Sequence, residues 1–109
     1  MDGPAFQWTE HEHEFGSIEK GTPVQYVFTF SNQGNETLLI SSVKASCGCT
    51  VAEYSKDPVE PGTEGFVKVT FSPSVLGPFN KTISIFSNAN DTAVQLKIRG
   101  IVVEKTSEH

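Results

Sequence analysis

Short apolar runs with a period of two recur along this chain, and no stretch shows a helical period. Successive side chains of an extended strand point to opposite faces, so such a run packs one face and wets the other. Val67, Val69 and Phe71 share one face, with Lys68 and Thr70 opposite. Tyr26, Phe28 and Phe30 stand against Gln25, Thr29 and Ser31, with Val27 as the exception. Ile83 and Ile85 alternate with Thr82 and Ser84; Val94, Leu96 and Ile98 alternate with Gln95, Lys97 and Arg99. Phe6 to Glu10 begins the series, and His11-Glu12-His13-Glu14 continues it in polar form. Leu38-Leu39-Ile40 opens a further strand, and Val51 to Ser55 is a short one.

Turn residues punctuate these runs. Lys20-Gly21-Thr22-Pro23, Asn32-Gln33-Gly34-Asn35, Pro61-Gly62 and Asn88 to Asp91 supply proline and residues that tolerate positive φ. Lys56 to Gly62 reads as a loop. The pattern predicts an all-β, immunoglobulin-like antiparallel β-sandwich of about seven strands. The 109 residues fit a single domain, 1–109, with 1–5 and 104–109 as frayed ends. The expected core is Phe28, Phe30, Ile40, Val67, Val69, Phe71, Ile83, Ile85, Leu96 and Ile98.

The net charge of −5 argues against nucleic acid as a partner. No apolar run approaches the ~18 residues of a membrane helix, so no direct membrane insertion is expected. The start Met1-Asp2-Gly3-Pro4 carries no signal peptide and reads as a trimmed end.

The chemistry concentrates in Ser46-Cys47-Gly48-Cys49-Thr50, which holds both cysteines. Three readings stand open. In the first, Cys47 and Cys49 are small packed hydrophobes in a strand broken by Gly48. In the second they do redox chemistry. Residues two apart in a straight strand have Cα atoms ~6.6 Å apart, so a Cys47–Cys49 disulfide would need Gly48 to turn the chain and would be strained. In the third they bind a soft metal, with His11 and His13 completing a two-His, two-Cys set. The competing account of the histidines is a solvated pair in a polar strand. Ser46, His11 and Asp57 are the nearest approach to a triad, but no nucleophile elbow surrounds any serine and no phosphate loop exists. No catalytic residue and no cofactor are expected.

The order Phe15-Gly16, Phe28 to Gly34, Leu39-Ile40, Ser46 to Thr50, Pro61-Gly62, Gly77-Pro78-Phe79, Ser87-Asn88 and Leu96 to Gly100 resembles a bacterial family of unknown function. That family is marked by a Cys-Gly-Cys-Thr motif and is similar to the major-sperm-protein, Hydin and ASH group of immunoglobulin-like domains. The resemblance implies the sandwich fold, a periplasmic or cell-surface parent protein of the Bacteroidetes kind, and no established activity. Asn35-Glu36-Thr37, Asn80-Lys81-Thr82 and Asn90-Asp91-Thr92 match the N-glycosylation pattern, for which chance suffices. Asp91-Thr92-Ala93 resembles the O-glycosylation acceptor of Bacteroidetes, with Thr92 as the acceptor. The expected function is a non-enzymatic interaction module with a protein partner, contacted through the N-terminal segment or the last strand; the alternative is a metal or thiol-redox module.

Overall fold

The computed structural model describes residues 3–46, 48, 50–89 and 93–104. Eight strands are found among them: β1 (Phe6–Trp8), β2 (Glu12–Glu19), β3 (Val24–Asn32), β4 (Ile40–Ala45), β5 (Thr50–Tyr54), β6 (Glu64–Phe71), β7 (Gly77–Ser87) and β8 (Val94–Val103). They form two four-stranded sheets, in the orders β1-β3-β6-β5 and β2-β8-β7-β4. The inward faces meet in one core of Phe28, Phe30, Leu38, Val67, Val69, Ile83, Ile85, Leu96 and Ile98, closed by Trp8, Ile18, Val59, Phe71 and Val102.

The N-terminal alternating run is not one strand. After Trp8 the chain bends at Thr9–His11 and crosses to the other sheet. The run keeps its direction through the bend, so β1 and β2 are two parts of one pass shared by both sheets. Every later connection reverses the chain, and the seventh pass, β8, therefore runs the same way as the first. The two lie side by side, so β2 and β8 pair in parallel, from Glu12↔Lys97 to Glu19↔Val103. The immunoglobulin-like β-sandwich of about seven strands expected from the sequence is thus found, with this one strand pair departing from the antiparallel pattern. The remaining strand pairs are antiparallel.

Nine of the ten expected core residues are buried; Ile40 is half-buried. The register shifts between Ile40 and Ser42, which rolls Ile40 toward the rim. Leu38 takes its place with no exposed surface. It is held by a two-way backbone bridge to Val59, Leu38 N–H to Val59 O and Val59 N–H to Leu38 O, both 2.9 Å. The segment read as a plain loop thus contributes a core residue. At its end Gly62 has φ 84°, and Thr63 N–H donates to Glu60 O at 3.0 Å. With Pro61 ahead of Gly62 this is a type II turn. The hairpin between β7 and β8 is described only to Ala89, since residues 90–92 lie outside the described set.

Phe28 is fully buried at the sheet interface. Phe28→Ala should destabilise the domain by about 3–5 kcal/mol, measured by denaturant unfolding; an unchanged midpoint would mean that the inward face of β3 is wrongly assigned.

Candidate functional site

Asn32 ends β3 as a polar residue with no exposed surface. Its side-chain oxygen accepts from Ala5 N–H (3.2 Å) and Gly34 N–H (2.9 Å). Its side-chain nitrogen donates to Glu36 O (2.7 Å) and Val59 O (2.9 Å). Its main chain donates to Thr63 O (3.0 Å) and accepts from Gly62 N–H (2.8 Å). A buried amide must find such partners, because leaving them unmade costs more than each bond adds. Asn32-Gln33-Gly34 and Pro61-Gly62, two widely separated pieces of the family resemblance, therefore meet at one node. A Cβ on Gly34 would overlap the carbonyl oxygen of Gly3 and lie 2.8 Å from Ala5 N. Glycine is required there so that residues 3–5 can lie against the turn.

A second cluster closes the side of the sandwich where the first pass changes sheets. The Tyr26 hydroxyl donates to Glu10 Oε1. The His13 ring stacks on Tyr26 with centroids 3.6 Å apart and 10° between planes, and meets Phe15 edge-on at 4.6 Å. His13 Nδ1 stands 3.9 Å from Glu10 Oε1. The hydrogen bond to Glu10 raises the Tyr26 pKa above 10.0, and burial and the carboxylate charge add to the rise. Each of these disfavours the phenolate. β2 supplies His13, β3 supplies Tyr26 and the bend supplies Glu10, so the cluster ties the two sheets together.

On the outer face of β2 and β8, Arg99 Nε lies 2.9 Å from Glu14 and Arg99 Nη1 lies 3.4 Å from Glu12. Glu14 also accepts Gly16 N–H at 3.0 Å. Gly16, at φ 73°, resets the register of the parallel pair between Glu14 and Ser17. The backbones approach so closely that a Cβ on Gly100 would lie 2.7 Å from Gly16 O. The charges here shape a bulge, and at half exposure each pair contributes little stability.

The cysteine stretch falls between Ala45, the end of β4, and Thr50, the start of β5. It is the connection between the two sheets. Ser46 anchors it, with Ser46 N–H on Thr82 O (2.9 Å) and Ser46 Oγ accepting Thr82 N–H (3.1 Å). Gly48 is exposed, with no atom within 4 Å of an added Cβ. Cys47 and Cys49 lie outside the described residues, as does Thr92.

The histidines belong to the other side of the molecule. His11 sits in the bend before β2, exposed, and does not share a strand with His13 as expected. β2 and β4 are opposite edges of one sheet, three strand spacings or roughly 14 Å apart. The same separation divides His11 from Ser46. Among the described residues no group of three or more His, Cys, Asp and Glu could hold a metal ion. Asn35 Oδ1 accepts Gly3 N–H at 2.7 Å, so this sequon residue serves the turn. Sequence reasoning missed the roles of Asn32, Glu10 and Tyr26. The available signals were an Asn at the inward position of β3 and a polar residue on each side of the first bend.

A family model for proteins of unknown function, DUF1573, matches residues 6–102. The chain belongs to the DUF1573 family. No curated protein matches it in sequence. Among solved structures, a protein of unknown function from Porphyromonas gingivalis W83 superposes with TM-score 0.79 at 15% identity, covering 92% of this chain and 47% of that one. The chain thus spans about half the length of that protein. The ASH/PapD-like domain 7 of human CEP192 gives 0.76 at 10% identity, covering 93% and 87%. The sialic acid binding region of a Streptococcus sanguinis adhesin gives 0.59 at 9% identity, covering 94% and 30%. At these identities the likenesses establish the immunoglobulin-like fold.

Two measurements test the polar network of this DUF1573 domain. Asn32→Ala leaves the Ala5 and Gly34 N–H groups and the Glu36 carbonyl without this partner, takes one of two donors from Val59 O, and should cost about 2–4 kcal/mol by denaturant unfolding. A cost near that of an exposed Asn→Ala change would refute the node. Tyr26 is held neutral in the fold, so its contribution is complete below the unfolded tyrosine pKa and is lost as pH rises through the higher folded value. In a Tyr54→Phe background, absorbance titration should give a phenolate midpoint above 10 that falls in Glu10→Gln; an identical midpoint in both proteins would show that Glu10 is not the cause.

Proposed function

We propose that this domain is a non-catalytic protein-interaction module of an exported or cell-surface bacterial protein. One observation carries the reading: the conspicuous polar side chains are committed to structure. Asn32 fixes turns, Glu10 and Tyr26 join the sheets, and Glu14 with Arg99 holds a bulge. What remains available is surface and sheet edge, the means by which a sandwich binds another polypeptide. The fold shared with an ASH/PapD-like domain and with an adhesin region supports the same class of role by analogy of architecture alone. Export rests on the family resemblance; no helix among the described residues is long and apolar enough to cross a membrane.

The last strand is not the contact expected from sequence, because β8 lies between β2 and β7 and has no free edge. The N-terminal strands β1 and β2 are edges. Thiol chemistry is a second reading, favoured by one observation: the Cys-Gly-Cys stretch is a connection between sheets with an exposed Gly48. The histidines at the far edge have no part in it.

The affinity-tagged domain expressed in its native host should co-purify a protein partner in near-stoichiometric amount. Recovery of none, together with fast thiolate alkylation at neutral pH, would replace the interaction reading with the thiol one.

A further inference from the structure

The four sheet edges differ in how they are guarded. β1 has three residues, and the segment before it is fastened to the turn after β3 through Gln33 N–H on Ala5 O. β2 breaks register at Gly16 and carries Glu12, Glu14 and Glu19. β4 breaks register after Ile40. β5 pairs with β6 without interruption from Thr50↔Phe71 to Tyr54↔Val67 and contains neither proline nor glycine. Breaks, prolines and charges are how sheets protect their edges, and β5 has only one of these, Glu53.

The hydrogen bonding of β5 gives the free groups by parity. Ser55 N–H donates to Phe66 O at 3.1 Å, so residues 51, 53 and 55 face β6. The main-chain groups of Ala52 and Tyr54 then face away from it, with no partner among the described residues. On the outer face, the row through this position reads Val27, Lys68, Glu53 across β3, β6 and β5. Lys68 Nζ lies 3.5 Å from Glu53. The neighbouring residue Val51 is 60% exposed.

We propose that the β5 edge receives an extended segment of a partner protein that carries a basic residue across from Glu53 and an apolar residue across from Val51. This deepens the interaction reading and rests on it. A basic guest continues the alternation of charge along the row, and opposite charges across strands attract. A second copy of β5 paired through Ala52 and Tyr54 would set Glu53 against Glu53, so the charge selects against self-pairing. The inward guest residues, across from Ala52 and Tyr54, are apolar and pack at the half-buried rim of the core.

The test uses the capped pentapeptide Thr-Val-Lys-Val-Ile and its Thr-Val-Glu-Val-Ile counterpart, titrated to millimolar concentration against the isotopically labelled domain. The lysine peptide should shift the amide signals of Ala52 and Tyr54, slow their hydrogen exchange, and bind about tenfold more tightly than the glutamate peptide, as one 1.4 kcal/mol interaction would give. Glu53→Lys should reverse that order. Ala52→Pro should abolish binding with the melting temperature retained, since this N–H bonds to no neighbour. Shifts confined to β2 or β4 would overturn the β5 assignment while leaving the interaction reading intact. Absence of any shift would overturn the β5 assignment, and the interaction reading would then stand or fall on the co-purification experiment.

Discussion

The buried amide of Asn32 is the contact on which the ends of this sandwich depend. A strand that runs to the rim of a core leaves its last backbone groups facing loops, and loops offer no regular ladder to satisfy them. Asn32 resolves this from one position. Two donors and an acceptor pair on one side chain, with two main-chain groups beside it, serve residues 5, 34, 36, 59, 62 and 63. No other side chain of that size both donates twice and accepts twice. The loop that carries Val59 into the core is placed through this residue, and so is the segment that leads into β1. The packing of Leu38 on Val59 thus follows from a polar interaction at the edge of an apolar core.

Much of the fold was legible in the residues because alternation states which face is packed. Val67, Val69 and Phe71 could point inward in only one register, and so could Ile83 with Ile85 and Leu96 with Ile98. Ile40 was misread because a register shift inside β4 cancels the alternation there, and nothing local in Leu38-Leu39-Ile40 marks the shift. The split of the first pass was hidden for a related reason. Thr9, Glu10 and His11 continue a polar alternation whether the chain stays in its sheet or leaves it. The parallel pairing of β2 with β8 is a property of seven passes taken together, which no single segment records.

The candidate sites were less legible than the fold. Asn32 was read as a turn former, which it also is, but a turn-forming asparagine and a buried hub share one letter. Tyr26 was seen as one of three aromatics on a face; its hydroxyl meets Glu10 only because the bend brings the chain back over β3. His11 and His13 share a face in an extended strand, and the bend removes that premise. The motif glycines proved informative: Gly34 and Gly100 stand where backbones cross at distances a side chain would forbid.

The parallel pairing of β2 with β8 also has a mechanical side. These strands are the terminal passes of the domain, one near each end of the chain, and their rungs lie side by side. Opposed pulls on the two ends of β2 and β8 act along the strands and in opposite senses across the ladder, so the hydrogen bonds from Glu12 to Glu19 bear the load together. A hairpin pulled from its open end would yield one rung at a time. A domain built this way transmits tension through its fold.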